Sequence, residues 1–208
     1  MTNETLWFGT LIRTDNINVD NESLTKFSYD LNKQLKHNYD GSVANGWQSS
    51  DLDNYDVLQP LKKEILRVCN ELHQKLELKD KAKQMIANMW ININPLGGFN
   101  IPHNHPGSIF SGVYYIKCNE DSGNLCFTHP AINQNYHFNS YSIEKHNNLN
   151  AGGVQIEPEV GKLVIFPSYQ SHYVQPNKSK EDRISIAFNT KLHYELWPEF
   201  VSINSNTE

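Results

Sequence analysis

The chain has 208 residues, 38% of them hydrophobic and 20% charged, which suits one well-cored domain and is too apolar for a disordered segment. A net charge of -5 and a pI near 6.0, with no Lys/Arg run longer than Lys62-Lys63, exclude a general attraction to nucleic acid or to anionic membranes. No apolar stretch approaches the roughly 20 residues of a membrane span. The start, Met1-Thr2-Asn3-Glu4-Thr5, lacks the basic region and cleavage site of a secretory signal. Three cysteines without a CxxC pair point to reduced thiols, and together these features predict a cytoplasmic protein.

In chain order, residues 6–12 read as a short strand. Leu24, Phe27, Leu31 and Leu35 then recur at helical spacing behind a plausible cap at Asp20. Residues 38–56, with Gly41, Asn45, Gly46 and several Asp, read as loop. A second amphipathic stripe, Leu61, Ile65, Val68, Cys69, Leu72 and Leu76, opens at Pro60. From residue 85 the texture becomes punctuated β-structure. Strands are predicted at 85–93, 109–117, 125–128, 154–157, 162–166 and 183–190, and the turn cluster 119–123 joins two of them as a hairpin. Residues 129–153, rich in Asn, Ser, Tyr and Gly, read as a long loop of the kind that often lies beside a substrate site. The resulting division is a helical support region over 1–84, a β core over 85–193 and a tail over 194–208.

Alternation assigns faces to two of these strands. Asn88, Trp90, Asn92 and Asn94 share one side against Met89, Ile91 and Ile93, and Arg183, Ser185, Ala187 and Asn189 oppose Ile184, Ile186 and Phe188. The polar faces either meet solvent or line an internal cavity while the apolar faces lie under the amphipathic helices. Periodicity alone does not choose between these.

Chemistry concentrates in the run Asn100-Ile101-Pro102-His103-Asn104-His105-Pro106-Gly107-Ser108. Histidines at i and i+2 of an extended backbone point to one side, so both can ligate one ion. A third, His172, follows the predicted strand 162–166, and Arg183 opens the last strand 11 residues later. An isolated HxH is weak. The ordered set of HxH, distal His and Arg-Ile-Ser is far more specific. Of the other histidines, His37, His73 and His193 are expected at the surface, and His129, His137 and His146 lie in or next to the long loop. Trp90 is expected mainly as a packing residue. Leu125 and Phe127 suit either a cavity wall or ordinary core.

The segments NPLGGFNIPHNHPGS, SGVYYI, SGNLCF, VGKLVIFPSYQSHYVQP and DRISIAFN resemble the iron(II)- and 2-oxoglutarate-dependent oxygenases, and most closely their prolyl-hydroxylase-like branch. GWQS at 46–49 is similar to a bacterial and phage group within it. The resemblance implies a mainly β fold with N-terminal helices on a double-stranded β-helix (jelly-roll) core. It implies iron held by His103, His105 and His172, and 2-oxoglutarate held by Arg183, Tyr115 and Ser185. Asn94 falls where some relatives place a residue on the cosubstrate or substrate side. The implied activity is a dioxygenase, a hydroxylase by expectation, that couples decarboxylation of 2-oxoglutarate to oxidation of a substrate, with molecular oxygen consumed and ascorbate as a possible reductant. The substrate stays open among peptides, small molecules and nucleobases.

His105 departs from the pattern, because the family normally carries Asp or Glu there. An imidazole leaves the site one negative charge short, which should weaken metal retention. Three-histidine iron sites occur in other β-barrel dioxygenases, so oxygen chemistry remains compatible. A second register reads His105-Pro106-Gly107 as HxG, with Gly107 leaving the carboxylate position open. Two other functions compete: a cupin-type three-histidine dioxygenase without 2-oxoglutarate, and a non-catalytic metal-binding β-barrel. Neutral imidazoles are required for ligation, so metal affinity is expected to fall below about pH 6.5.

Overall fold

In the computed structural model, residues 9–35, 41–52, 55–79, 81–131 and 142–194 are described. The first strand, β1, spans Arg13–Asn16 and not the expected 6–12, of which 6–8 lie outside the described residues. Helix α1 covers Asn21–Gln34, and the Asp20 carboxylate caps it by accepting the Ser23 N–H at 3.0 Å. Helix α2 covers Gln59–Lys75 behind a 3-10 turn at Asp56–Leu58. Pro60 sits in its first turn, where a missing N–H breaks no helical bond.

The remaining strands are β2 (Val43–Ala44), β3 (Trp47–Gln48), β4 (Ala82–Asn94), β5 (Phe99–His103) and β6 (Phe110–Lys117), followed by β7 (Leu125–Thr128), β8 (Gly153–Ile156), β9 (Lys162–Pro167), β10 (His172–Val174) and β11 (Arg183–Tyr194). They form two antiparallel sheets. The larger runs β1-β9-β6-β11-β4-β3 and the smaller β2-β5-β10-β7-β8. β2 and β3 correct the expectation of plain loop over 38–56. Each is two residues long, too short to leave a periodic signal.

The larger sheet carries a helix layer outside and a cavity inside. Met89, Ile91, Ile93, Ile184, Ile186 and Phe188 pack with Leu24, Leu31, Leu61, Ile65 and Val68 of the helices in one core. Tyr115, Leu125, Phe127, Val164 and Phe166 form a second cluster between the sheets. The opposite sides of β4 and β11 therefore face inward, and Trp90, Asn92, Arg183, Ser185 and Ala187 line the space between the sheets. Of the two placements that alternation allowed, the cavity-lining one holds. His73 corrects another expectation: it is buried, with Nε2 against the Lys79 carbonyl and Nδ1 near the Gln84 amide. All three cysteines are free. Among the described residues, no helix is long and apolar enough to cross a membrane.

Candidate active site

Strands β5 and β10 lie side by side in the smaller sheet, with His103 directly opposite His172. His105 follows two residues after β5, its backbone N–H donating to the Ser168 carbonyl at 2.9 Å. This brings a potential ligand nitrogen from each of the three imidazoles within 4.8 Å of the others. The ring centroids of His103 and His172 are 4.3 Å apart, and the Phe166 ring packs tilted against His172 at 4.6 Å.

Tautomers follow from the partners. Nδ1 of His103 lies 2.7 Å from the Ile101 carbonyl, and Nδ1 of His172 lies 2.9 Å from the Gln170 carbonyl. A carbonyl only accepts, so both Nδ1 atoms carry the proton and both Nε2 lone pairs are free. Burial, with mutual repulsion between the rings, lowers the pKa of His105 to about 4 and of His172 to about 3, and burial also lowers that of His103. Three neutral imidazole donors on one side of a cavity fit a divalent first-row metal such as iron(II).

At the other end of this cavity stands Arg183, 1% exposed. Its Nη1 donates to the carbonyls of Ser122, Gly123 and Gln175. Its Nη2 is buried with no partner, and so is the Tyr115 hydroxyl in the same cavity. Among the described residues, no carboxylate lines the space. Burial lowers the Arg183 pKa and raises that of Tyr115, so one donor is cationic and the other stays a neutral O–H. Two orphaned buried donors are costly unless something accepts from them. A carboxylate fits.

Ser185 is buried between its cross-strand neighbours Asn92 and Tyr115 and lines the cavity. Asn94 pairs with Arg183 across the β4–β11 ladder but does not line the cavity; its Nδ2 is 3.5 Å from Asn100 Oδ1. Asn92 and Asn100 line it instead. Sequence reasoning missed both, although the alternation of β4 had already put Asn92 on the correct side. Trp90 proves to be a wall of the site, 5.7 Å from the His105 ring. Leu125 lines the cavity while Phe127 packs behind His172. Gly107 is absent from the lining, with a φ of +81 in open space, so the geometry brings His105 to the cluster and not the HxG position. Of the loop histidines, His137 lies outside the described residues, and His129 and His146 do not line the cavity.

Residues 88–189, from β4 to β11, match the family model described as "Putative 2OG-Fe(II) oxygenase". The chain resembles the 2OG-Fe(II) oxygenases over this stretch, just under half of its length, and is an enzyme of that class. Iron(II) and 2-oxoglutarate are thus the cofactor and cosubstrate of this oxygenase, and the cupin-type and non-catalytic alternatives fall away. Solved structures share its fold at low identity. A Pseudomonas putida prolyl-4-hydroxylase aligns with a TM-score of 0.60 at 14% identity, over 86% of this chain and 91% of that one. The viral collagen prolyl hydroxylase of Paramecium Bursaria Chlorella virus-1, solved as a 2OG complex, gives 0.56 at 14%, over 86% and 94%. A Trichoplax adhaerens prolyl hydroxylase, in complex with a hypoxia inducible factor peptide fragment, gives 0.59 at 15%, over 88% and 83%. No curated protein matches the chain. The double-stranded β-helix fold expected from the sequence is the fold these proteins have.

Proposed function

We propose that this oxygenase is a hydroxylase in which His103, His105 and His172 hold iron(II) and Arg183, Tyr115 and Ser185 hold 2-oxoglutarate. The observation that carries the assignment is the pair of orphaned donors on Arg183 and Tyr115 at the far end of the cavity that opens on three neutral imidazoles. The distal carboxylate of 2-oxoglutarate accepts from Arg183 Nη2 and from the Tyr115 hydroxyl, a charge-assisted arrangement made without dragging the guanidinium from its three carbonyls. Ser185, two residues from Arg183 on β11 and opposite Tyr115, lines the same cavity and supplies a further hydroxyl.

Bound iron(II) supplies the dioxygen activation that couples decarboxylation of 2-oxoglutarate, giving succinate and CO2, to oxidation of a substrate C–H bond. The chain's own part is positional. The Ile101 and Gln170 carbonyls fix two rings with Nε2 inward, and Phe166, Leu125 and Val174 keep that end of the cavity dry. Asn94, directly opposite Arg183 in the β4–β11 ladder, supports the cosubstrate end from behind the lining.

Titration of 2-oxoglutarate into the anaerobic iron(II) protein, followed by its charge-transfer band or by calorimetry, tests the assignment. Arg183→Leu leaves the carboxylate unpaired in a poorly solvated pocket. It should weaken 2-oxoglutarate by about 30-fold or more, from a loss of roughly 2–5 kcal/mol. Tyr115→Phe removes one hydrogen bond beside a retained charge and should cost about 1 kcal/mol. Unchanged affinity in Arg183→Leu would refute its role. For the metal, His172→Ala should strip iron on elemental analysis, and full retention would end the three-histidine assignment.

A further inference from the structure

A groove of about 430 Å³ adjoins the cosubstrate cavity. The two spaces share Ser42, Trp90, His103 and His105, so the groove meets the imidazoles from the side away from Arg183. One wall is Asn88, Trp90 and Asn189 of the larger sheet; another is the segment 48–51. That segment is fixed: Ser49 Oγ accepts the Ile91 N–H at 3.0 Å and Asp51 Oδ1 accepts the Met89 N–H at 2.8 Å.

The chemistry of these walls is one-sided. Among the described residues, their lining contains no lysine or arginine and a single carboxylate, Asp51. Asn88 and Asn189 face each other across the β4–β11 ladder. Ser111 donates to Asn189 Oδ1 at 2.7 Å, leaving the Asn189 NH2 group for the groove. Asn88 Oδ1 is buried with no donor. A ligand N–H can meet it after a turn of the terminal amide torsion, which is soft in asparagine. The Trp90 indole, beside His105, offers a flat apolar face whose quadrupole favours a cation or a planar amide and disfavours an anion.

We infer that this groove is the substrate subsite of the oxygenase and that it takes a non-anionic group rich in N–H donors, an amide or an amine, laid along Trp90 between Asn88 and Asp51. Carboxylate- and phosphate-bearing ligands are disfavoured there, nucleic acid among them, because no cation among the described lining residues pairs with negative charge and Asp51 repels it. The inference rests on the oxygenase reading for the direction in which the groove meets the iron ligands, and on its own residues for the chemical class.

The full-length protein, labelled with nitrogen-15 and free of metal, tests this by NMR with four probes: N-acetylglycinamide, N-acetyl-lysinamide, N-acetylglycine and a short oligothymidylate. The Trp90 indole and Asn88 side-chain signals, assigned through Trp90→Phe and Asn88→Leu, should shift with the first two probes and stay still with the last two. Asn88→Leu should weaken N-acetylglycinamide by roughly fivefold. Asp51→Asn, which keeps the acceptor for Met89 N–H, should abolish any preference for the lysinamide over the glycinamide. Tighter binding of N-acetylglycine or of the oligonucleotide, or amide shifts that persist undiminished in Asn88→Leu, would overturn the inference. A 2-oxoglutarate titration of the cobalt(II)-loaded protein separates the two ideas. Cosubstrate binding without amide binding sinks the groove assignment alone, and amide binding without cosubstrate binding sinks the cosubstrate assignment alone.

Discussion

Arg183 is a buried cation whose company is entirely carbonyl oxygen and neutral side chains. Lysine in its place could not hold three carbonyls on one nitrogen and still present a second, coplanar donor to a carboxylate. Arg183→Lys should therefore lose most of the 2-oxoglutarate affinity that Arg183→Leu loses, measured by the same anaerobic titration. The histidines make a second residue-scale case. Their folded pKa values lie below the ordinary 6.5, so above that pH both folded and unfolded chains hold them neutral. As pH falls below 6.5 the unfolded chain takes up protons that the fold refuses, down to about pH 4 at His105 and about 3 at His172. Melting curves of the metal-free protein should show stability lost progressively across that window, with a shallower decline in His172→Gln. A pH-independent midpoint between 7 and 4 would contradict the burial of these rings. Their depressed values also move proton competition for the metal site to more acid pH than the 6.5 expected from unperturbed histidine.

At the scale of elements, the helices and the long strands were legible because each repeats its signal. The Asp20 cap, the Leu24–Leu31 stripe and the strand-wise alternation of β4 and β11 all follow from period and burial. The two strands that carry His103 and His172 were not. β5 contains Pro102 and follows the Gly97-Gly98 turn, and β10 is three residues long, so neither repeats a side often enough to be seen. Cross-strand pairing, a tertiary property, makes them strands. His73 was misjudged for a related reason: its burial comes from the chain that follows α2 folding back to offer the Lys79 carbonyl. Gly112 on β6 was also silent in the sequence. A Cβ there would run into the Phe188 ring and come within 2.7 Å of the Val164 carbonyl, at a position that borders the cosubstrate cavity. Gly112→Ala should cost about 1–3 kcal/mol by overpacking, read as a lowered denaturation midpoint, and a neutral result would mean that Phe188 has room to move.

Across the whole molecule, the charge balance is unusual in its centre. An acidic chain of net charge -5 encloses a cavity whose described lining residues carry one cation and no anion. A divalent metal entering between three neutral imidazoles adds to that positive field, and a dicarboxylate relieves both charges at once. Metal and 2-oxoglutarate should accordingly bind as mutual aids, each raising the affinity of the other by roughly tenfold or more, as linkage requires of any coupled pair. Calorimetric titration of cobalt(II) with and without 2-oxoglutarate reads the coupling. In Arg183→Leu, cobalt(II) alone should bind no worse, and the coupling should shrink; independent binding in the parent protein would defeat the idea. The missing carboxylate at His105 was plain in the sequence. That no acid among the described lining residues compensates for it could be seen only once the cavity was assembled.

β2 pairs with β5 in the smaller sheet, and β3, separated from it by Asn45 and Gly46, pairs with β4 in the larger one. The segment from 43 to 48 thus stitches the two sheets together with two stitches of two residues each, at the edge beside His103 and the groove. Such short ladders are the first to fray, so this seam sets the rhythm at which the interior exchanges with solvent. Amide protons of Val43, Ala44 and Trp47 should trade with deuterium far faster than those of Ile91 or Ile186. A ligand seated in the groove should slow them together, as one zip fastener closing.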